Sequence, residues 1–254
     1  FEQLMLLHFM GIKLIVVHGG GKQATSLSEK LGINSSFVEG KRVTSQEMLE
    51  VLKMSFAGVI NTDILARGKE LDIPLVGLSG IDGGLIEAKK REPIEVTDSR
   101  TGRPQVVDFG YVADIKSINL EILNHLLSGG FIPVICSLAS DNSGQVLNIN
   151  ADRVASKIAS EIKAEKLCIL GTVDGVLSDI KNSSTLYSML TIAEARNLIE
   201  DGVAKDGMVP KLTEACFALE RGVKSVHIIS GIKKDAILEE IFTNEGSGTM
   251  IRNP

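Results

Sequence analysis

The sequence has no tryptophan, and aromatic residues make up only 4% of its 254 positions. A core for a chain of this length must therefore be aliphatic, as it is in α/β folds. No apolar run reaches the length that crosses a membrane, and no signal peptide is visible. The net charge of −5 argues against a broad nucleic-acid surface. We therefore expect neither a membrane nor a nucleic acid as a partner.

Cysteine and histidine are also scarce. The three cysteines, Cys136, Cys168 and Cys216, cannot form a paired disulfide framework. The first two fall in predicted strands and the third in a predicted helix, so buried free thiols in a reducing cytosol are the simplest account. We therefore expect a cytoplasmic protein. The four histidines show no metal-ligand spacing, and we predict no metal site formed by protein side chains.

Short apolar runs alternate with amphipathic segments along the chain. The runs at 75–78, 131–136 and 167–170 are typical of buried strands, and the segments at 152–163 and 207–221 are typical of helices. Strands that alternate with helices predict a mostly parallel sheet covered on both faces. The fold class is therefore α/β.

Two helix starts are predicted from capping residues. Thr44 or Ser45 is expected to cap a long helix that runs to about residue 71, with Glu47 as the capping-box partner of Thr44. Asp206 is expected to cap the helix 207–221.

The segment 13–22, KLIVVHGGGK, places three glycines between an apolar strand and a helix. Such a junction forms anion sites in α/β folds, because the glycines allow close approach of the backbone and the helix start supplies positive potential. A tight strand-to-helix turn explains the pattern equally well. The spacing matches neither GxxxxGK[ST] nor GxGxxG with an acidic partner.

Three further polar clusters follow predicted strands, in the region where parallel sheets bind ligands. They are SGIDGG (79–84), NINAD (148–152) and GTVDG (171–175). In the second cluster, Asn148, Asn150 and Asp152 alternate at strand spacing and so face one way. Asn150 or Asp152 could instead cap the next helix, whereas Asn148 has no such alternative role.

Two cations stand at element starts. Arg42, in the polar loop EGKRVT (39–44), could bind a carboxylate at two points, although a lone Arg is more often a solvated surface residue. Lys211 follows Pro210 in the first turn of a predicted helix, where proline fixes the local geometry. The alternative for Lys211 is an exposed helix lysine paired with Glu214.

Together these motifs resemble the N-acetyl-L-glutamate kinase family of the amino-acid kinase superfamily, over essentially the whole chain. The resemblance rests on the order and spacing of six motifs. They are VVHGGGK (16–22), EGKRVT (39–44), GLSGIDGGL (77–85), VLNINADRVA (146–155), DGMVPKLTEA (206–215) and FTNEGSGTMI (242–251).

The resemblance implies an ATP- and Mg²⁺-dependent kinase that phosphorylates the side-chain carboxylate of N-acetyl-L-glutamate in arginine synthesis. It implies an αβα three-layer sandwich with a mainly parallel central sheet. An N-terminal lobe, 1–160, would bind the acetylamino acid and form the dimer, and a C-terminal lobe, 161–254, would bind the nucleotide. The C-terminal stretch EEIFTNEGSGTMI (239–251) resembles arginine-inhibited members, which implies a homodimer or hexamer with arginine as a feedback inhibitor.

The resemblance also assigns roles to individual residues. Lys211 would stabilise charge on the transferring phosphoryl group, and Asp152 would orient the catalytic lysines. The acetylated substrate would be bound by Gly19, Gly20, Arg42, Asn148 and Asn150. The phosphates and nucleotide would be bound by Gly21, Thr172, Asp174, Gly175 and Met208.

The sequence departs from the family pattern at two points. Family members carry an early strand with a Lys followed by glycines, and we expect that strand to belong to sequence before Phe1. Thr172 occupies a position where the family usually has an Asp, and a hydroxyl hydrogen-bonds a ribose less strongly than a carboxylate does.

Two alternative functions stay open at this stage. One is a kinase for a carrier-linked aminoadipate or glutamate, because GLSGIDGG is common to both branches. The other is a non-catalytic ligand-sensing domain of the same fold.

Overall fold

The structure is a computed structural model that describes residues 1–97, 102–243 and 245–253. The chain forms two compact units, Phe1–Val154 and Ala155–Pro254. Strands alternate with helices and include parallel pairs in both units, which confirms the α/β class. In the parts of the chain described above, no helix has the length and apolarity needed to span a membrane.

The described residues of the first unit form eleven strands, five whole α-helices and the start of a sixth, and the unit boundary falls within that sixth helix. The strands are β1 Val16–His18, β2 Ser36–Val38, β3 Lys41–Val43, β4 Leu75–Ser79, β5 Ile86–Lys90, β6 Ile94–Thr97, β7 Pro104–Val107, β8 Ala113–Ile118, β9 Ile132–Cys136, β10 Leu138–Ser140 and β11 Val146–Asn148. The helices are α1 Glu2–Phe9, α2 Gly21–Lys30, α3 Gln46–Leu52, α4 Asn61–Glu70, α5 Glu121–Ser128 and α6 Ala151–Glu161.

A three-stranded parallel sheet, β1-β9-β4, positions the glycine loop. Its middle strand β9 is buried at every residue, because its apolar side chains are covered on both faces. Cys136 at the end of β9 pairs with His18 on one side and with Ser79 on the other. The loops HGGG and SGIDGG therefore leave the same edge of this sheet.

The remaining strands of the first unit form a four-stranded sheet and two hairpins. The sheet has the order β11-β10-β5-β8, in which only the β10–β5 pair is parallel. The hairpins are β2–β3 and β6–β7. Arg42 accordingly lies on strand β3 of a hairpin, and the polar turn predicted for 39–44 is confined to residues 39–40.

The long helix predicted to reach residue 71 is observed as a continuous helical segment, but its hydrogen-bonding pattern changes in the middle. Its segment Lys53–Ile60 is a π-helix between α3 and α4. The N-cap is Ser45, whose Oγ accepts a hydrogen bond from Met48 N at 3.2 Å. The capping box predicted for Thr44 and Glu47 is wrong, because Thr44 is buried and its backbone bridges to Gly110.

Outside residues 244 and 254, the second unit contains four strands and three whole α-helices. The strands are β12 Lys166–Gly171, β13 Met189–Thr191, β14 Ser225–Ser230 and β15 Thr249–Arg252, and the helices are α7 Ile192–Glu200, α8 Met208–Glu220 and α9 Ala236–Phe242. The sheet has the order β12-β14-β15-β13, and β14–β15 is its antiparallel pair. Its core is aliphatic, with Leu212, Ala215 and Val226 fully buried.

The start of α8 differs from the prediction. Gly207 is the N-cap residue and no side chain caps the helix, so the role expected for Asp206 was wrong. Asp206 instead adopts a left-handed backbone conformation with φ of 47°. Asp and Asn tolerate that region better than most residues do.

A buried hydrogen bond between a histidine and a glutamate secures the C-terminal strand region of the second unit. His227 Nδ1 lies 2.7 Å from Glu240 Oε1, and the two side chains are 2% and 3% exposed. The other carboxylate oxygen of Glu240 accepts hydrogen bonds from Ser247 N at 2.6 Å and Gly248 N at 2.8 Å. Burial alone would raise the pKa of Glu240, but these bonds outweigh it and hold that pKa below its ordinary value.

The three cysteines are free thiols, as expected. Cys136 and Cys216 are buried, and Cys168 is half-buried. Burial raises the pKa of all three thiols, to about 11 for Cys136 and for Cys168. They are therefore poor nucleophiles at neutral pH.

Candidate functional site

The glycine loop of the first unit has the features of an anion site. Strand β1 ends at His18, and α2 begins at Gly21 with Gly20 as its N-cap residue and no acidic residue in its first turn. The first backbone N–H groups of a helix have no partner within the helix, and they carry the positive end of its dipole. A negatively charged group is therefore favoured at this end of α2.

Two glycines of this loop have close neighbours. A Cβ at Gly19 would lie 3.3 Å from Ala151 Cβ, in the NINAD segment. A Cβ at Gly20 would lie 2.1 Å from Ile60 Cδ1 and 3.1 Å from the Phe56 ring, both in the π-helix. The structure thus brings Gly19 together with the start of α6.

Arg42 lies beside the start of α2. Its Nη2 donates to Gly21 O at 2.9 Å and to Thr25 Oγ1 at 2.8 Å, and its Nη1 donates to Ser35 Oγ at 2.7 Å. The guanidinium also lies 4.6 Å from the centre of the Phe37 ring. Burial lowers the pKa of Arg42, but a guanidinium stays charged in proteins. The structure therefore adds a fixed cation to the positive end of α2.

The three polar residues of NINAD have different environments. Asn148 Nδ2 donates to Thr44 Oγ1 at 3.2 Å, which ties the end of β11 to the residue before the cap of α3. Asn150 Oδ1 accepts from Arg153 N at 3.1 Å, which is a helix-capping contact at the start of α6. Asp152 lies half-buried in the first turn of α6. Of the alternatives left open by the sequence, a cap is thus observed for Asn150.

The SGIDGG loop is held by its acidic residue. Asp82 Oδ2 accepts from Ser79 N at 2.6 Å and from Ser79 Oγ at 2.7 Å. These contacts close a turn at the end of β4, so they account for this acid in structural terms.

The second unit contains a cavity of about 440 Å³ beyond β12 and the start of α8. Four of the residues predicted for the nucleotide and for catalysis line it: Thr172, Gly175, Met208 and Lys211. Asp174 belongs to the same loop but is not among the described residues that line the cavity.

The start of α8 gives this cavity its positive end. Gly207, Met208 and Lys211 all line it, and no acidic residue stands in the first turn of the helix. Lys211 is half-buried there, directly after Pro210. A helix N-terminus together with an ammonium group is suited to phosphate oxygens.

Close packing requires a glycine at position 175 of the GTVDG loop. A Cβ at Gly175 would lie 2.6 Å from Thr249 Oγ1, and the same hydroxyl accepts from Val176 N at 2.8 Å. This contact joins the cavity loop to β15. It gives Gly175 a structural role beside the predicted ligand contact.

Sequence reasoning did not find several residues of these two regions. In the first unit it missed His18 and Asn61, whose side chains are hydrogen-bonded to each other. In the second it missed Lys205, Ser178 and Asp179, which line the cavity. A polar Asn61 at the end of an otherwise apolar run, SFAGVI, was the signal that could have found the first pair.

Within the described ranges, no group of three or more His, Cys, Asp or Glu side chains is arranged to hold a metal ion.

Comparison with known proteins gives these regions a context. The sequence pattern of the amino acid kinase family matches residues 1–230. The acetylglutamate kinase of Methanocaldococcus jannaschii is 44% identical over 250 residues, which cover 98% of this chain and 83% of that protein. The acetylglutamate kinase of Myxococcus xanthus is 41% identical, with 98% of this chain and 81% of that protein covered.

Two solved structures are similar to this chain over nearly its whole length. The protein smu.665 from Streptococcus mutans matches with a TM-score of 0.80 and 25% identity, over 100% of this chain and 91% of that one. The N-acetylglutamate synthase from Neisseria gonorrhoeae, complexed with coenzyme A and N-acetyl-glutamate, matches with a TM-score of 0.82 and 28% identity. That match covers 99% of this chain and 54% of the synthase.

Proposed function

We infer that this chain, which belongs to the acetylglutamate kinases of the amino acid kinase family, phosphorylates the side-chain carboxylate of N-acetyl-L-glutamate with ATP. The product is N-acetyl-L-glutamyl 5-phosphate, and the reaction belongs to arginine biosynthesis. The observation that carries this conclusion is the similarity to acetylglutamate kinases over nearly the whole chain. The two positive helix ends are consistent with it.

The chemistry asks for charge neutralisation rather than for a base. A glutamate side chain is already ionised at neutral pH, so the nucleophile needs no deprotonation. The obstacle is the approach of a carboxylate to an anionic polyphosphate. Backbone N–H groups and fixed cations that face the transferring phosphoryl group lower this barrier, because they act where negative charge lies in the transition state.

We propose that the first unit holds the acetylated substrate. The N–H groups of Gly19 and Gly20 contact the transferring group, and Arg42 binds the α-carboxylate. Asn148 and Asn150 hold the rest of the substrate. For Arg42 this role requires the guanidinium to exchange part of its present contacts with Ser35, Thr25 and Gly21 O for the ligand.

We propose that the second unit holds ATP in its cavity. Thr172, Asp174, Gly175 and Met208 contact the nucleotide, and Gly21 of the first unit contacts phosphate oxygens. Lys211 stabilises the transferring phosphoryl group, and Asp152 orients the catalytic cations. Mg²⁺ fits this scheme as a companion of the ATP phosphates, since it keeps several waters and needs few protein ligands.

The test is ADP release by the full-length protein with Mg-ATP and N-acetyl-L-glutamate. We expect Lys211→Met to lower kcat by about 100-fold or more, because a cation is removed from the transferring group. Lys224→Met is the matched control, since Lys224 is exposed and pairs with Glu165 on the surface. Equal turnover of the Lys211 and Lys224 variants would remove the assigned role.

The substrate is tested in the same assay. N-acetyl-L-glutamate is compared with a carrier-linked glutamate or aminoadipate, with mass spectrometry to identify the phosphorylated product. Turnover of the carrier-linked compound alone would exclude the acetylglutamate assignment. ATP binding without turnover of either compound would instead support a sensing domain.

We further propose feedback inhibition by arginine, a homodimeric or hexameric assembly and a cytoplasmic location. The C-terminal stretch EEIFTNEGSGTMI supports the first two, and three unpaired cysteines support the last. Added arginine should lower the apparent affinity of the full-length protein for N-acetyl-L-glutamate. Unchanged kinetics at millimolar arginine would contradict this regulation.

A further inference from the structure

His18 stands directly before the glycine loop, and none of the roles assigned above uses its side chain. Its ring makes two hydrogen-bond contacts. The Nε2 atom lies 3.1 Å from Asn61 Nδ2, and the Nδ1 atom lies 2.9 Å from Gly19 O. Asn61 is only 5% exposed, and its Nδ2 also lies 3.2 Å from Val134 O on the neighbouring strand β9.

These contacts determine which ring nitrogen carries the proton. The carbonyl of Val134 only accepts hydrogen bonds, so the Asn61 atom that faces it must be the amide nitrogen. That nitrogen donates its second hydrogen to His18, and Nε2 must then be the acceptor. The proton of the neutral ring is therefore on Nδ1, which donates to Gly19 O.

The packing around Asn61 keeps this arrangement. A Cβ at Gly77 would lie 2.1 Å from Asn61 Oδ1, so the amide oxygen rests against the bare backbone of β4. Burial lowers the pKa of His18, which favours the neutral ring at neutral pH.

The Gly19 carbonyl and the Gly20 N–H belong to one planar peptide group. In a trans peptide these two groups point in opposite directions. The hydrogen bond from His18 holds the carbonyl on the protein side of the loop. It therefore turns the Gly20 N–H away from His18.

We propose that His18, oriented by Asn61, is a positioning residue that aims the Gly20 N–H at the transferring phosphoryl group. The inference rests on the proposed function, which places that group at the glycine loop. The chain of contacts runs from Val134 O through Asn61 and His18 to the Gly19–Gly20 peptide. A rigidly aimed N–H needs no reorganisation as charge shifts in the transition state.

Two substitutions separate the two ends of the ring. In His18→Asn the side-chain amide reaches the position of Nδ1 and keeps a donor for Gly19 O. In His18→Gln the amide reaches the position of Nε2, which keeps the contact with Asn61 but loses that donor. His125→Gln is the matched control, because His125 is exposed on α5.

We expect His18→Gln to lower kcat by about 10- to 100-fold, because its loop N–H is no longer aimed. KM for both substrates should change by less than about threefold, because the interaction belongs to the transition state. His18→Asn should restore most of the lost kcat, and His125→Gln should behave as wild type. Equal kcat losses in the Gln and Asn variants would overturn the inference, as would a lowered unfolding midpoint of the Gln variant without a kcat loss.

A second measurement does not depend on activity. The ¹⁵N spectrum of His18 in the wild-type protein should show a neutral ring protonated on Nδ1, and a ring protonated on Nε2 would overturn the inference. If His18→Gln fails to fold, the ¹⁵N spectrum of the wild type and the kcat of His18→Asn test the inference in its place. Absence of wild-type turnover counts against the proposed function alone, and the tautomer then decides whether His18 holds the loop peptide.

Discussion

At the residue scale, the glycine loop contains one glycine with no room for a side chain and one with open space around it. Gly20 packs against the side chains of Phe56 and Ile60, whereas a Cβ at Gly21 would meet no atom within 4 Å. Gly21 is also the first helical residue of α2, where a side chain is compatible with the backbone. The two neighbours should therefore respond differently to the same substitution.

We expect Gly20→Ala to lower the free energy of unfolding by about 1–3 kcal/mol, because the added methyl group overpacks the contact with the π-helix. Gly21→Ala should leave that free energy unchanged or raise it by up to about 1 kcal/mol, since alanine is a better helix former. Urea unfolding of both variants and the wild type checks this. Similar free energies for the two variants would contradict the packing argument.

The residues of the candidate site were predictable where their role follows from a motif. Gly19, Gly20, Thr172 and Lys211 were marked by the motif pattern, and the last two do line the cavity. The hydrogen bond between His18 and Asn61 was not predictable, because 43 positions separate these residues and only the fold brings them together. The contacts of Arg42 were hidden for the same reason, since Ser35, Thr25 and Gly21 come from other elements.

At the element scale, the start of α7 is fixed by a capping box between Thr191 and Glu194. Thr191 Oγ1 accepts from Glu194 N at 3.2 Å, and Glu194 Oε2 accepts from Thr191 N at 2.7 Å. This capping box satisfies two backbone N–H groups that the helix itself leaves unpaired. All of its contacts lie within four consecutive residues, so it depends on no distant part of the chain.

We expect Thr191→Ala to lower the free energy of unfolding of the protein by about 1 kcal/mol, because it removes the N-cap oxygen. Thr191→Ser keeps that oxygen and should lose clearly less. Chemical unfolding followed by circular dichroism measures both. If the Ser variant were as destabilised as the Ala variant, methyl packing rather than capping would explain the effect.

Elements that depend on distant partners were harder to predict. Strand β8, Ala113–Ile118, was not predicted, because exposed charged residues interrupt its apolar pattern. It is a strand because it pairs with β5. Strands β10 and β13 are three residues long and carry too short a pattern to be found. The π-helix Lys53–Ile60 has the same helical sequence pattern as its neighbours, so its wider turns were not predictable.

At the scale of the whole molecule, acid stability should depend on Glu240. Because its pKa is lowered in the folded state, the folded protein binds fewer protons here than the unfolded chain. The stabilisation is fully present above the ordinary value of 4.5 and is lost as pH falls from there through the lower folded value.

We expect Glu240→Gln to be less stable than wild type at neutral pH and to lose less stability on acidification. The measurement is the free energy of unfolding of both proteins from neutral pH to about pH 3. Other carboxylates with lowered pKa values, such as that of Asp114 beside Arg91, remain in both proteins and cancel in the comparison. Parallel stability curves for the two proteins would contradict the role of this pair.

The three cysteines allow the unfolding of the two compact units to be followed separately. Cys136 belongs to the first unit, whereas Cys168 and Cys216 belong to the second. A maleimide reaches the two buried thiols, Cys136 and Cys216, only when the structure around them opens, so each reports the opening of its own surroundings. Brief labelling at rising urea, read peptide by peptide in a mass spectrometer, then shows whether Cys136 and Cys216 become reactive together. The chain thus carries its own built-in labels for telling one cooperative unfolding event from two.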